Sequence, residues 1–180
     1  KISFHLLKNS MSYNNYHADL LPYVKMKWSA DQAAIIYSLW LYDQNFDTNI
    51  SQEITYKWFD YMDKSMVHKK TGLYGTEVLN TRKYSKQPRG CSLSYMIHYM
   101  GKFAPRKAKV LWERYKEYMF VDNLELAGFR EYLPSYKSKW TPDSGPIIRG
   151  LGIGATGLGL NAASTVGDFT IFSKIKRVPI

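Results

Sequence analysis

Two kinds of helical pattern alternate along the chain. In residues 29–45 and 88–100 hydrophobic positions run nearly all round the predicted helix, which is typical of a helix buried on all sides. In residues 51–68 and 106–120 hydrophobic residues recur at helical spacing and charged residues fill the opposite face, which is typical of a surface helix. The pattern predicts an all-α protein built from hairpins, each with an inner and an outer helix.

The first inner helix has a clear start signal. Ser29 lies three residues before Gln32, which is a capping-box arrangement. In such a box each of the two side chains accepts a hydrogen bond from the backbone of the other residue. We therefore expect the helix to begin at this serine.

A third inner helix is predicted in the glycine-rich stretch 144–163. Ser144 is its expected N-cap, and Pro146 is tolerated in a first helical turn. Asp31 and Cys91 are 60 residues apart, and Cys91 and Ser144 are 53 residues apart. A period of this size with two helices per unit indicates a helical-hairpin array.

The loops before the inner helices are expected to form a pocket. If the hairpins stack with the inner helices side by side, all inner helices start at one end, and the positive ends of their dipoles gather there. Such a pocket favours an anionic or hydroxyl-rich ligand. Its polar and aromatic residues are Tyr74 and Glu77 before the second inner helix and Glu131, Tyr132 and Trp140 before the third.

Composition narrows the class of protein. With 45% hydrophobic residues, residues 1–180 are expected to form one domain or part of a larger one. The net charge is +10, but the basic residues are scattered and match no nucleic-acid-binding module, so no nucleic-acid partner is expected. The four histidines lack metal-ligand spacing. We expect neither a metal nor a cofactor.

The cysteine count and the apolar runs do not determine where in the cell the protein is located. Cys91 is the only cysteine, so no internal disulfide can form. The longest uncharged apolar run, 150–163, is shorter than the roughly 18 residues that a membrane span needs. Compartment, membrane association and oligomeric state do not follow from these observations.

Several short motifs stand at the starts and turns of the predicted hairpins. They are Trp28-Ser-Ala-Asp31, Thr71-Gly-Leu73, Pro88-Arg89-Gly90-Cys91-Ser92, Phe103-Ala-Pro105 and Asp143-Ser144-Gly145-Pro146 followed by a Gly/Ala helix. These motifs resemble a bacterial, largely uncharacterised group of six-hairpin (α/α) toroid proteins, which is similar to the linalool dehydratase/isomerase-like fold and distantly to toroid glycosidases. The resemblance implies about three of six hairpins, in the C-terminal part of a longer chain whose N-terminal half is missing here, and an exported or cell-envelope bacterial protein.

The resemblance also implies chemistry at the inner-helix N-termini. Toroid glycosidases use paired carboxylates, so the candidate acid/base groups are Asp31, Glu77 and Asp143, with Glu131 in the wider set. The dehydratase/isomerase uses acid/base chemistry with cysteine and tyrosine nearby, which draws attention to Cys91. A helix N-terminus is expected to lower the pKa of this thiol. We expect a glycosidase-like hydrolase or a lyase or isomerase acting on a carbohydrate or other hydroxylated substrate.

The residue types leave alternatives open at these positions. Asp31, and Asp143 with Ser144, fit helix capping as well as catalysis. Arg89 is a cation at a helix N-terminus, where its charge is unfavourable, which favours a role as substrate clamp. Cys91 also fits a small buried hydrophobe. The expected substrate-binding residues are Trp28, Tyr74, Arg89, Cys91, Ser92, Trp140 and Ser144.

Two other functions stay open. In a non-catalytic glycan-binding or cell-surface protein of the same fold, Trp28 and Trp140 would carry binding and the carboxylates would not matter.

A dinucleotide-binding protein is the other alternative. Gly152-Ile-Gly154-Ala-Thr-Gly157 matches the G-x-G-x-x-G pattern, and a strand-like segment follows at 169–172. However, Pro146 and Arg149 interrupt the strand that should precede the motif. We prefer the interpretation that the glycines let neighbouring helices approach closely.

Overall fold

A computed structural model describes residues 1–19, 26–79, 84–85, 87–123 and 126–177, and these residues are mostly helical. The all-α class is confirmed at this level. In chain order the elements are α1 (Ile2–Met11), β1 (Met26–Trp28), α2 (Ser29–Phe46), α3 (Ser51–Ser65), β2 (Glu77–Leu79), β3 (Tyr84–Ser85), α4 (Gly90–Phe103), α5 (Pro105–Met119), β4 (Phe120–Asp122), β5 (Ala127–Phe129), β6 (Ile147–Ile148), β7 (Leu151–Gly152), α6 (Ile153–Val166) and α7 (Phe169–Lys176).

The chain divides into two compact units. Unit 1 comprises Lys1–Lys69 and Tyr74–Gln87, and unit 2 comprises Lys70–Leu73 and Pro88–Ile180. Within the units, consecutive helices joined by short turns pack against each other as the pairs α2/α3, α4/α5 and α6/α7. The prediction of one toroid domain over residues 1–180 stays a prediction.

Unit 1 is built around α2 and α3. Helix α1 packs on both, and the strands form an antiparallel sheet in the order β1-β2-β3. The register pairs Trp28 with Glu77 at the end of β1 that leads into α2. The hydrophobic core contains Ala18, Ile35, Leu39 and Ile54, with Leu6, Leu7, Met11, Tyr16 and Ile50 packed against it.

Unit 2 is built around α4, which packs on α5 and most extensively on α6. The small residues of α4 and α6 explain this close approach: a Cβ on Gly90 would lie 2.7 Å from the Cβ of Ala155, and one on Gly101 would lie 2.3 Å from Thr165 Cγ2. At Gly159 of α6 the missing side chain makes room for a strand residue and not for a helix, because a Cβ would lie 2.7 Å from the ring of Phe129 in β5.

The third inner helix begins later than predicted. Residues 147–152 form the antiparallel hairpin β6–β7, whose turn places Arg149 (φ 50°) and Gly150 (φ 85°) in the left-handed region. Helix α6 therefore starts at Ile153, and the prediction that Ser144 is its N-cap is wrong. The inner helices start at residues 29, 90 and 153, intervals of 61 and 63 residues. This spacing is more regular than the one predicted.

The expected capping box of the first inner helix is also wrong. The N-cap of α2 is Trp28, and the structure gives it no side-chain cap hydrogen bond. Gln32 instead bonds Ser10 and the backbone of Ala18, which ties α2 to the preceding segment. The backbone N–H of Ser29 finds its acceptor in the carbonyl of Thr76, 3.1 Å away, so the residue that precedes strand β2 replaces the box.

The inner helices differ in how much of them is buried. Helix α4 is buried over most of its circumference, as predicted, with eight of its residues buried. Helices α2 and α6 bury one face only: Leu41 in α2 is 38% exposed and Ile153 in α6 is 40% exposed. The expectation that every inner helix is buried on all sides is therefore wrong for these two.

The segment after the glycine motif is not a strand. Residues 169–176 form helix α7, whose N-cap Asp168 accepts a hydrogen bond from the backbone of Ile171. In the described part of the chain, the motif is thus followed by a helical turn and not by the second strand that a dinucleotide fold requires. Among the described helices, none is both long and apolar enough to cross a membrane.

Candidate functional site

The candidate site of unit 2 is built around the junction between Arg89 and helix α4. Arg89 has an extended backbone (φ −124°, ψ 139°) and forms an antiparallel bridge with Tyr132. The next residue, Gly90, donates its N–H to the carbonyl of Glu131 at 2.9 Å. Only a glycine fits here, because a Cβ would lie 2.1 Å from the carbonyl oxygen of Arg130. The side chains of Arg89 and Glu131 are thereby brought together at the helix N-terminus.

The Glu131 carboxylate is fully buried and has three donors. Arg89 Nε donates to Oε1 at 2.9 Å, and the backbone N–H of Cys91 donates to Oε2 at 3.1 Å. The Cys91 thiol donates to Oε1 at 3.1 Å. The N-terminus of α4 therefore holds a carboxylate of its own, which offsets the positive end of the helix dipole.

Burial controls the protonation of this cluster. It raises the pKa of Glu131, although the hydrogen bonds from Cys91 and the charge of Arg89 oppose the rise. Burial, together with the nearby Glu131 charge, raises the pKa of Cys91 to about 12. The expected lowering of the thiol pKa is therefore wrong, because burial and the Glu131 charge outweigh the effect of the helix terminus. A protonated thiol is a poor nucleophile, and Cys91 acts here as a hydrogen-bond donor.

The outer edge of the Arg89 guanidinium faces a surface loop. Its Nη2 donates to Thr141 Oγ1 at 2.6 Å, and its Nη1 lies 3.9 Å from Asp143 Oδ2. The Tyr132 ring lies 5.7 Å from the guanidinium carbon. Arg89 itself is only 7% exposed, whereas the side chain of Asp143 is 68% exposed. A buried cation is thus placed directly behind an exposed carboxylate.

The loop that carries Asp143 is tied down at several points. The Tyr132 hydroxyl donates to the carbonyl of Lys139 at 2.9 Å. Ser144 is fully buried, and its hydroxyl bonds the backbone of Thr141 and of Gly145. The serine predicted as a helix cap is therefore the centre of a turn. Trp140, next to Thr141, is 62% exposed and projects from this fixed loop.

Ser92 lies in the first turn of α4, two residues after the start of the helix. Its hydroxyl is buried and has no hydrogen-bond partner in the described part of the chain. A buried hydroxyl without a partner is uncommon and costs stability. The structure brings five predicted site residues into or beside one cluster in unit 2, namely Arg89, Cys91, Ser92, Asp143 and Ser144, with Trp140 at its edge.

Three predicted residues meet at the corresponding junction in unit 1. Trp28 ends β1 opposite Glu77 of β2, and Asp31 lies in the first turn of α2, which follows directly. The side chains of all three residues are partly exposed. Unit 1 therefore places two carboxylates and a tryptophan near the start of its inner helix.

Tyr74 has a different setting. It is 7% exposed, pairs with Val67 in an isolated bridge, and donates its hydroxyl to Asp63 near the end of α3. These contacts hold the loop after α3 in place. Its expected role in substrate binding stays a prediction.

A shallow groove of about 400 Å³ lies in unit 2 beside the start of α7. The groove is lined by Lys109, Trp112, Glu113, Val166, Gly167, Asp168, Phe169 and Thr170. Asp168 accepts hydrogen bonds from Trp112 Nε1 at 2.9 Å and Lys116 Nζ at 2.8 Å and also caps α7. These bonds lower the pKa of Asp168, against the effect of its partial burial. The other acidic residue, Glu113, pairs with Lys116 at 2.9 Å, so both carboxylates of the groove are used for structure.

The sequence interpretation underrated Glu131 and missed Thr141. Glu131 was placed only in the wider set of carboxylates, although it is the central acceptor of the cluster. One signal was available: a cation such as Arg89 before a buried helix requires a buried anion, and the acidic residues of 126–143 are few. Within the described residues, no group of three or more His, Cys, Asp or Glu side chains is arranged to hold a metal ion.

Comparisons with known proteins add nothing to this geometry. No protein-family model matches the chain, and the search of curated proteins returns no match. The functional interpretation therefore rests on the contacts described above.

Proposed function

We propose that this chain is part of an (α/α)-toroid enzyme that acts on a carbohydrate or other hydroxylated substrate by carboxylate acid/base catalysis at the start of α4. One observation carries the proposal: Arg89 is buried and held from behind by Glu131, while the exposed carboxylate of Asp143 lies 3.9 Å in front of its Nη1. A fixed cation beside an accessible carboxylate is a pairing that can both bind a hydroxylated substrate and transfer a proton.

Asp143 is the acid/base group of the proposed reaction. A general acid or base must reach the substrate, and a side chain that is 68% exposed does so. Glu131 does not, because it is fully buried and its two oxygens already accept three hydrogen bonds. We assign Glu131 as a positioning residue that orients the Arg89 guanidinium.

Arg89 is the substrate clamp. Its guanidinium is planar, stays charged, and is fixed by Glu131 on one edge and by Thr141 on the other. Fixing a long side chain before the substrate arrives removes the entropy cost of ordering it at binding. The guanidinium can therefore donate hydrogen bonds to substrate oxygens beside Asp143.

The regular start of the three inner helices supports the toroid part of the proposal. Each inner helix follows a short extended segment, and each first turn bonds the carbonyl of a neighbouring segment: Ser29 to Thr76, Gly90 to Glu131 and Ile153 to Pro146. Repeated units that begin in the same way are what a hairpin array requires. Asp31 and Glu77 are the corresponding carboxylate candidates of unit 1.

A second function is favoured by one observation, the 62% exposure of Trp140. An exposed tryptophan on a fixed loop can stack on the apolar face of a sugar ring without any catalysis. A non-catalytic glycan-binding protein would need this ring and the Arg89 donors, but not the acid/base function of Asp143.

The test compares Asp143→Asn and Asp31→Asn with the unchanged chain on a panel of polysaccharides, with product release and binding measured separately. We expect Asp143→Asn to lower kcat by about 10²- to 10⁴-fold, which is the usual contribution of a general acid or base, with little change in binding. The matched control is Asp122→Asn, which removes an exposed carboxylate that pairs with Lys174 in the same unit.

Two results contradict the enzyme. Turnover that survives both substitutions removes the catalytic assignment. Binding without turnover that is abolished by Trp140→Ala and unaffected by Asp143→Asn identifies the glycan-binding alternative.

A further inference from the structure

The outer nitrogen of Arg89 is a hydrogen-bond donor without an acceptor. Of the five N–H bonds of the guanidinium, Nε–H is used by Glu131 and one Nη2–H by Thr141. Within the described residues, Nη1 makes no hydrogen bond, since its ion-pair partner Asp143 Oδ2 is 3.9 Å away. Arg89 as a whole is 7% exposed, but Nη1 is not among its fully buried atoms, so this nitrogen is reachable from solvent. A ligand oxygen can therefore accept from it without displacing a hydrogen bond within the protein.

The charge around this edge favours an anionic acceptor. Unit 2 contains 15 of the 25 basic and 7 of the 15 acidic residues, so it carries +8 of the net charge of +10. Among the described residues, the segment 130–149 provides the hydrogen-bond and ion-pair partners of the Arg89 side chain. This segment contains four basic residues and two acidic ones. The basic residues are Arg130, Lys137, Lys139 and Arg149.

Two of these cations lie just before the exposed tryptophan in the chain. Lys137 and Lys139 are exposed, form no ion pair with a described residue, and precede Trp140 in the loop that reaches Thr141. The loop is fixed at Lys139 by the Tyr132 hydroxyl, and Tyr132 is bridged to Arg89. The loop that carries the two lysines and Trp140 is therefore connected to Arg89 through Tyr132 and Thr141.

We propose that the substrate of this site is an acidic glycan, whose carboxylate or sulfate group is bound by Nη1 and Nη2 of Arg89 while a sugar ring packs on Trp140. Arginine binds such groups through two parallel hydrogen bonds, and the surface lysines attract the polyanion from a distance. This inference rests on the proposed function, because it names the substrate class of the same site.

The test measures binding of the full chain to four polymers at low and at physiological salt: polygalacturonate, dextran sulfate, neutral dextran and poly-L-glutamate. We expect binding to polygalacturonate or dextran sulfate at least about tenfold tighter than to dextran, because only the acidic chains supply an acceptor for Arg89. The tighter of the two acidic glycans identifies the source of the anion, carboxylate or sulfate. Poly-L-glutamate, a polyanion without sugar rings, should bind weakly.

Variants separate the guanidinium from general charge. Arg89→Lys keeps the charge but loses the fork, and we expect it to weaken acidic-glycan binding by about tenfold or more. The double variant Lys137→Gln and Lys139→Gln should weaken it by roughly three- to tenfold at low salt and less at physiological salt. The control is the double variant Lys107→Gln and Lys109→Gln on α5, which removes the same charge from exposed positions in unit 2.

The outcomes are decisive in either direction. The inference is overturned if dextran or poly-L-glutamate binds as tightly as the acidic glycans, or if the two lysine double variants behave alike. Neither of these two outcomes depends on Arg89→Lys, so the test still decides if that variant fails to fold. Turnover of a neutral glycan that depends on Asp143 would overturn the inference and keep the proposed enzyme. Acidic-glycan binding that depends on Lys137 and Lys139, without any turnover, would support the inference and remove the enzyme.

Discussion

The two units begin an inner helix in the same way but fill the junction with different chemistry. In unit 1, Trp28 pairs with Glu77, and the next N–H, that of Ser29, bonds the carbonyl of Thr76. In unit 2, Arg89 pairs with Tyr132, and the next N–H, that of Gly90, bonds the carbonyl of Glu131. The equivalent positions are Trp28 and Arg89, Ser29 and Gly90, Asp31 and Ser92, Thr76 and Glu131, and Glu77 and Tyr132.

The carboxylates occupy different positions at the two junctions. Unit 1 has them at Asp31 and Glu77, where the side chains are partly exposed. Unit 2 has uncharged residues at these two positions and moves its carboxylate to Glu131, where it is fully buried. The buried position requires a cation, and Arg89 provides it. The same backbone junction therefore supports either a pair of accessible acids or an internal ion pair that fixes a guanidinium.

The largest expected effect comes from breaking the internal ion pair. Glu131→Gln leaves Arg89 buried without its counter-charge, and we expect unit 2 to lose about 3–5 kcal/mol of unfolding free energy. The equivalent change in unit 1, Thr76→Val, removes only the hydrogen bond from Thr76 Oγ1 to the carbonyl of Gln87 and should cost about 1 kcal/mol. Urea denaturation of both variants measures the difference.

A double variant checks the cause. Replacing both members, as in Arg89→Met with Glu131→Leu, removes the buried charge altogether and should recover much of the lost stability. Equal losses for Glu131→Gln and Thr76→Val would show that the junctions do not differ in the way described.

The second expected effect is a loss of stability of unit 1 at acid pH, caused by His17. His17 in unit 1 is buried, with Nδ1 2.5 Å from the carbonyl of Asn15 and Nε2 accepting from Trp58 Nε1 at 3.2 Å. A second proton would have to sit on Nε2, against the Trp58 N–H. Burial, opposed by the Asn15 contact and reinforced by the Lys27 charge, lowers the pKa of His17 to about 4.

The linkage between proton binding and folding determines whether stability rises or falls with pH. Between about pH 6.5 and 4 the unfolded chain binds a proton at His17 that the folded chain does not, so unit 1 loses stability as the pH falls through this window, by about 3 kcal/mol. The raised pKa of Glu131 acts in the opposite direction, because folded unit 2 holds its proton to higher pH than the unfolded chain. Site-resolved amide exchange in α3, corrected for intrinsic rates, should show this loss of unit 1 stability between about pH 6.5 and 4. In unit 2 the effect of Glu131 is opposed by the lowered pKa values of His98 and Asp168.

A variant tests the assignment to His17. His17→Gln removes the titrating group, and the acid loss in unit 1 should shrink by about the same 3 kcal/mol. An unchanged acid loss in this variant would place the titration elsewhere.

Much of this comparison follows from the sequence, and the reasons are physical. The hydrophobic pattern predicted the helix pairs because inner and outer helices differ in how much surface they bury, as in α4 and α5. It predicted the start of α4 from the break at Pro88–Gly90. It could not predict the start of α6, because a glycine-rich stretch fits a helix and a β-hairpin alike, and the positive φ of Arg149 and Gly150 depends on tertiary contacts.

The candidate site was predicted as a set of positions but not as a set of roles. Arg89 was recognised because a cation at a helix N-terminus contradicts the local electrostatics. The roles of Cys91 and Ser144 depend on residues about 40 positions away and on turn geometry, respectively, and neither is encoded in local spacing. The residue type predicts Ser29 and Ser144 as caps, but in α2 and α6 backbone carbonyls of neighbouring segments accept the first hydrogen bonds of the helix.

The smallest expected effect comes from one substitution made at equivalent positions. Gly90→Ala places a Cβ 2.1 Å from the carbonyl oxygen of Arg130, so the junction of unit 2 must shift, and we expect a loss of about 2 kcal/mol. Ser29→Ala in unit 1 removes a buried hydroxyl that has no partner among the described residues, so it should be neutral or stabilise by up to about 1 kcal/mol. Thermal denaturation of the two variants provides the measurement. Equal effects would mean that the two junctions are packed alike, and the ion pair of unit 2 would then not depend on the close backbone contact that only glycine allows.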